Sequence, residues 1–200
     1  MSRTVPSWLA DPVAIVIGEG EGLEAVAHEL AAAGATIARG PVVASRAEAA
    51  AAIEAASAAA RDPVTLLVHT VSALVRTRAD QLDPAAWRAG LQASLDSRFF
   101  YAAELAQSLM AQGKPGTILF LDLPEEAGGA VQAAASGALC NLTKTLAVEW
   151  ARDGIRVNTI ASRVVAGGTK AELRSLGALA AYLVSDFAAY ITGCVMGIDD

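Results

Sequence analysis

The sequence predicts an α/β protein built on one doubly wound parallel sheet with helices on both faces. Short apolar, β-branched runs, the pattern of strands buried on both faces, alternate with longer alanine-rich stretches of helical spacing. The helical stretches carry start signals: Ser45-Arg-Ala-Glu48 and Thr169-Lys-Ala-Glu172 are capping boxes, and Asp83-Pro84 is an N-cap followed by proline at the first helical position. Two hundred residues, 54% hydrophobic and 18% charged, suffice for a sizeable core in a single domain spanning 1–200, with 1–12 as an N-terminal extension.

The elements follow in order. Val13 to Ile17 is a continuous apolar run fit for a first parallel strand. It leads through the loop Gly18-Glu-Gly-Glu-Gly22 into an alanine-rich helix ending near Ala33. Ala35 to Ala38 is a second strand, and the capping box at Ser45 opens a helix to about Ala60. Val64 to Val68 is the next strand. From Asp83 a long helix runs to about Met110, then a strand from Gly116 to Leu121 and an acidic turn at Pro124-Glu125-Glu126. Leu139, Leu142, Leu146 and Trp150 recur at helical spacing in a helix covering about 131–152. Asp153-Gly154 is a stop of the left-handed kind, and Ile155, Val157 and Ile160 form a buried strand. A last helix from Thr169 to about Val184 and a strand from Cys194 to Ile198 complete the sheet.

Composition excludes several function classes. The net charge is −6, from 15 Lys and Arg against 21 Asp and Glu, and no basic block stands out, so no nucleic-acid partner is expected. The apolar window from Leu176 to Ile198 is broken by Gly177, Ser185-Asp186 and Gly193, so no membrane span is expected. Cys140, Cys194, His28 and His69 are isolated, without metal-site spacing; the two cysteines read as buried thiols of a cytoplasmic protein.

The run Leu142-TKTLAVEWARDGIRVNTI-Ala161 resembles the segment that follows the catalytic motif in the short-chain dehydrogenase/reductase (SDR) family, oxidoreductases of extended Rossmann type. The resemblance covers about 13–197 and implies a Rossmann-like sheet, shortened here at the adenosine-side crossover and at the substrate lid. It also implies a catalytic Asn, Ser, Tyr and Lys, whose positions here fall on Ser94, on Leu123 (beside Asp122), on Gln132 and on Ser136. None of the three tyrosines, Tyr101, Tyr182 and Tyr190, is followed four residues later by lysine, so the tyrosine–lysine proton chemistry is unavailable in any register. The family's cofactor loop, Gly-x-x-x-Gly-x-Gly, is met by Gly18 and Gly22 but has Glu24 at its third position, with Glu19 and Glu21 inside the loop. Carboxylates there satisfy the helix dipole and repel a diphosphate, which makes Gly18, Gly20 and Gly22 a vestigial loop with no cofactor expected.

In the resembling family the two long helices pack against another subunit. Phe99, Phe100 and Tyr101 are consecutive and cannot all face one core, since neighbouring helical residues point about 100° apart. Trp87, Leu91, Phe99, Phe100, Ala134, Ala138 and Trp150 are therefore the expected interface, on the helices at 83–110 and 131–152, with the last strand as a further contact. The leading expectation is a non-catalytic subunit, not an enzyme by itself, that stabilises an active SDR partner; a homodimer is also allowed. The alternatives are an NAD(P)-dependent oxidoreductase with His69 or Asp122 in a new role, and a regulatory module that binds a small molecule.

Overall fold

The computed structural model describes residues 9–70, 77–124 and 128–198. The acidic turn at Glu125-Glu126 and most of the N-terminal extension lie outside them. The strands are β1 (Val13–Ile17), β2 (Thr36–Gly40), β3 (Val64–Thr70), β4 (Gly116–Asp122), β5 (Ile155–Ala161) and β6 (Val195–Met196). All pair in parallel in one sheet, in the order β2-β1-β3-β4-β5-β6. Between them run α1 (Glu21–Ala32), α2 (Arg46–Ala60), α3 (Pro84–Leu91), α4 (Ser97–Gln112), α5 (Ala130–Trp150) and α6 (Lys170–Val184).

Alternation along each strand sorts the core into two layers. Ala14, Val16, Val68, Leu119, Leu121 and Ile160 face α1 and α6, where Leu23, Val26, Leu30, Leu176 and Leu183 meet them. Ile15, Ile17, Leu67, Ile118, Phe120 and Val157 face the opposite layer, built from Ile53 of α2, Tyr101, Leu105 and Leu109 of α4, and Leu139 and Leu146 of α5. Helices on both faces explain why the strands read as unbroken apolar runs.

The expected caps form. The Ser45 side chain accepts from the Glu48 amide, although the Glu48 carboxylate reaches back to the Ala44 amide rather than to Ser45. Asp83 accepts from the amides of Ala85 and Ala86 at 2.8 and 2.9 Å, and Thr169 with Glu172 closes a reciprocal capping box. Three details differ from expectation. The helix expected from Asp83 to Met110 is interrupted by a π turn at Gln92–Asp96, β6 is only two residues long, and a 3-10 turn at Arg163–Ala166 follows β5.

Candidate active site

The chain moves outward from β1 to β2 and then returns to place β3 on the other side of β1, a switch point of the kind that leaves a ligand crevice beyond the carboxyl ends of the strands. The loop at that point is a glycine turn with three separate roles. Gly18 has φ +103° and Gly20 φ +121°, conformations that L side chains rarely adopt. Gly20 is the N-cap of α1 and no side chain caps the helix, so its first-turn amides are left to an external acceptor. A Cβ at Gly22 would fall 2.6 Å from the Val165 carbonyl oxygen and 2.7 Å from its Cα. The missing side chain lets the 3-10 turn after β5 pack directly on α1. A tight turn, a bare backbone and a close approach are what a pyrophosphate-binding loop requires, and the residues fit that group.

Two of the three acidic side chains near this crevice have neighbours of their own. Glu24 pairs with Arg39 at the end of β2 at 2.7 Å, and the Glu21 carboxylate lies against Gly167, 3.0 Å from where a Cβ there would stand. Glu19 is exposed. The glycines are spaced Gly18-x-Gly20-x-Gly22, and Glu24 belongs to a surface ion pair.

A second cluster lies at the carboxyl end of β4. Arg98, fully buried on α4, directs both terminal nitrogens to Asp122 Oδ1 at 3.3 Å. The same nitrogens donate to the carbonyls of Ser94 at 2.8 Å and Leu121 at 2.7 Å. Gln132 Nε2 donates to Asp122 Oδ1 at 3.1 Å and to Ser136 Oγ at 2.7 Å, and Ser136 in turn donates to the Leu123 carbonyl at 3.2 Å. Burial pushes the Arg98 guanidinium below its ordinary pKa, and the Asp122 carboxylate opposes that shift. The side-chain donors Arg98 and Gln132 all reach Asp122 through Oδ1.

Four expected site positions are thus gathered around one carboxylate. Ser94, Gln132 and Ser136 are buried beside Asp122, while Leu123 supplies only its carbonyl and turns its side chain into the layer of α1 and α6. Arg98 was missed by sequence reasoning. Its signal was its place on the stripe Ser94, Arg98, Tyr101, Leu105, whose i, i+4, i+7, i+11 spacing marks a buried face.

His69 is excluded from acid–base work. Its ring is fully buried in the layer of α2, α4 and α5, 5.8 Å edge-on from Tyr101. The Thr70 carbonyl only accepts, so Nδ1 carries the proton and donates to it at 2.8 Å; Nε2 then accepts from Ser97 Oγ at 3.0 Å. Burial, reinforced by the Arg98 charge, lowers its pKa to about 3. It is a neutral structural link.

The expected interface residues are distributed unevenly. Phe99 is 37% exposed and stands 6.1 Å from Phe100 between ring centroids, while Phe100 and Trp150 pack partly on the core. Trp87, Leu91 and Ala134 are half-buried and Ala138 is exposed. No helix among the described residues is long and apolar enough to cross a membrane.

The family model described as enoyl-(acyl carrier protein) reductase matches residues 11–173. Galactitol 2-dehydrogenase (L-tagatose-forming) of Cereibacter sphaeroides is 29% identical, over 90% of this chain and 81% of that protein. Cis-4-hydroxycyclohexanecarboxylate dehydrogenase of Sinomonas cyclohexanicum is 29% identical, over 60% of this chain and 57% of its own length. Among solved structures, a short-chain dehydrogenase from Mycobacterium smegmatis superposes with a TM-score of 0.86 at 19% identity, covering 100% of this chain and 97% of that one. A gluconate 5-dehydrogenase from Burkholderia cenocepacia, in complex with NADP and tartrate, gives 0.80 at 22% identity, with 96% of each chain covered.

These findings overturn three expectations. The relatives are named dehydrogenases, which contradicts a non-catalytic subunit and a chain that is not an enzyme by itself. The expectation of no cofactor falls with them, since the relatives are named dehydrogenases. The physical reason is common to all three. Loss of Tyr-x-x-x-Lys from one helix and acidic letters in one loop were read as loss of a site, whereas the glycine turn keeps its form and the strand ends carry other polar groups.

Proposed function

We propose, from the premise that the chain belongs to the short-chain dehydrogenase/reductase family, that it is an oxidoreductase dependent on a nicotinamide dinucleotide. The observation that carries this reading is the uncapped glycine turn at the switch point, beside which Glu24 is paired with Arg39. The residues that would hold the dinucleotide are Gly18, Gly20 and Gly22, through bare backbone and the first-turn amides of α1. Arg39 stands twenty-one positions after Gly18 at the end of β2, where an arginine favours the 2′-phosphate of NADP over the ribose hydroxyl of NAD. Its present partner is Glu24, in an exposed pair of the kind worth about 1 kcal/mol or less, and the guanidinium has further donors with which to bridge that carboxylate and a phosphate.

A bound nicotinamide would supply the hydride acceptor for alcohol oxidation. The proton falls to this chain. The family's tyrosine and lysine positions hold Gln132 and Ser136, and neither titrates; we read this as replacement of the acid–base group by Asp122. Oδ1 of Asp122 is fixed by Arg98 and Gln132, and Oδ2 takes the proton of the substrate hydroxyl. The substrate class is a secondary alcohol or its ketone, with galactitol and L-tagatose first on the panel because of the relative named for them. The assembly partner on this reading is a second copy of the chain, through α4 and α5.

Calorimetric titration with NADP and NAD tests the binding. A dissociation constant below about 100 micromolar for NADP, roughly −5.5 kcal/mol, is expected, and Gly20→Val should weaken it at least tenfold. Turnover across the alcohol panel should vanish in Asp122→Asn while dinucleotide affinity stays. Absence of binding at millimolar dinucleotide overturns the cofactor reading; full turnover in Asp122→Asn overturns the assignment of the base.

A further inference from the structure

β2 is an outer strand, paired with β1 on one side and, among the described residues, with nothing on the other. The Thr36 amide donates to the Pro12 carbonyl at 2.9 Å. Backbone groups alternate along a strand, so Thr36, Ala38 and Gly40 turn theirs toward β1, while Ile37 and Arg39 turn theirs outward. Such edges are commonly blunted by lysine, by an internal proline or by a bulge. β2 carries none of these: Pro41 only follows it, and the Arg39 side chain lies back on Glu24. Beside the edge runs a groove of about 430 Å³, lined by Ile37 and Ala38 of β2 and by Ala52, Ala55, Ala56 and Ala59 of α2. Ala55 and Ala59 are exposed.

Geometry selects what fits there. Antiparallel pairing of β2 with a second copy of itself, centred on Ala38, sets Ile37 of each chain opposite Arg39 of the other. Those are the residues whose N–H and C=O groups point outward, so both pairs exchange hydrogen bonds in full. The pairing keeps each face of the sheet on its own side, which brings the two α2 helices together. α2 rests on β2 and β1. With strands about 4.8 Å apart, a helix seated midway between β1 and β2 stands about 10 Å from its copy across the new pair. Helix axes pack at about 8–10 Å, and alanine faces suit that approach. A lone added strand would use the edge and leave the alanines bare; a second copy covers both. Charge does not oppose it, since Arg39 is the one charged residue lining the groove and carries its own Glu24.

We infer that β2 and α2 form a self-association surface, through which two chains join their six-stranded sheets edge to edge about a two-fold axis at Ala38. The surface is separate from α4 and α5. It rests on the open edge and the position of α2, and stands independently of the redox reading.

Crosslinking of the full chain tests it. In this pairing Ala38 meets its own copy at a non-hydrogen-bonded position, with Cα atoms about 4.5 Å apart, within disulfide reach. Thr36 lies opposite Gly40 and far from its own copy. Under mild oxidant Ala38→Cys should form a covalent dimer, while Thr36→Cys and the wild-type chain, which has Cys140 and Cys194, should not. Ala55→Glu, at a position exposed in the single chain, should leave circular dichroism unchanged, abolish the Ala38→Cys crosslink and shift sedimentation to a smaller species. Phe99→Ala should leave the crosslink in place, which separates this surface from α4. No crosslink at Ala38, an equal one at Thr36, or a crosslink and sedimentation indifferent to Ala55→Glu overturns the inference.

Discussion

His69 makes the stability of this protein depend on pH in a way that can be worked through. Its ring is fully buried, and desolvation, with the Arg98 charge as the lesser cause, lowers its pKa from 6.5 to about 3. The folded protein therefore declines a proton that the unfolded chain accepts. A group with a depressed folded pKa contributes stability above its unfolded pKa and loses it as pH falls toward the folded value, so the window runs from about 6.5 down to about 3. At pH 5 the unfolded histidine lies 1.5 units below its pKa, and at 1.36 kcal/mol per unit the loss is about 2 kcal/mol relative to pH 8. That figure depends on the unfolded pKa alone, because the folded one lies well below 5. Urea unfolding at pH 8, 7, 6 and 5 should show the wild-type decline, and His69→Gln should be less stable throughout but flatter by about 2 kcal/mol across the range. Parallel curves for the two proteins would refute the assignment of His69 as a buried neutral link.

Two further outcomes are expected. Arg98→Met leaves the Asp122 carboxylate and two carbonyls without their buried cation, and should cost about 3–5 kcal/mol by urea unfolding, while adding Asp122→Leu should restore most of it; a single variant within about 1 kcal/mol of wild type would show the pair to be dispensable. Phe99 is the large exposed aromatic on α4, and Phe99→Ala should shift sedimentation toward monomer without altering circular dichroism; a wild-type chain that sediments as a monomer removes the self-association proposal.

The fold was legible because its signals are local. Strands buried on both faces must be apolar at every position, and Val13–Ile17 and the run from Ile118 to Leu121 show it without alternation. The capping residues Ser45, Asp83 and Thr169 announce their helices because orphan amides need nearby oxygens. The π turn was not legible, since one extra residue per turn at Gln92–Asp96 changes no composition and reveals itself only in which side chains face inward. The polar cluster was half legible. Asp122 was noticed at the end of a strand, but Arg98 reads as an ordinary surface charge unless its stripe with Tyr101 and Leu105 is given more weight than its type.

The errors about function have one physical source, which is that letters near a site were treated as a field at the site. Glu19, Glu21 and Glu24 surround a helix N-terminus in sequence, yet a carboxylate's effect on a ligand is set by its distance in space and by any counter-charge beside it. Glu24 is spent on Arg39 and Glu21 lies against Gly167. What a phosphate meets at such a loop is backbone amide, and its direction is set by the positive φ of Gly18 and Gly20, which the acidic neighbours leave unchanged. The same holds at the end of β4. The resemblance places a cation at position 136 on α5, and serine there looks like a lost charge. In the folded chain a cation reaches that neighbourhood from α4, as Arg98, and meets a carboxylate at Asp122 that the family pattern does not contain. A crevice at the carboxyl ends of a parallel sheet is furnished by several strands and helices at once. On the function proposed above, substitution along one helix moves the proton to another residue, while the strand order keeps the crevice in the same place.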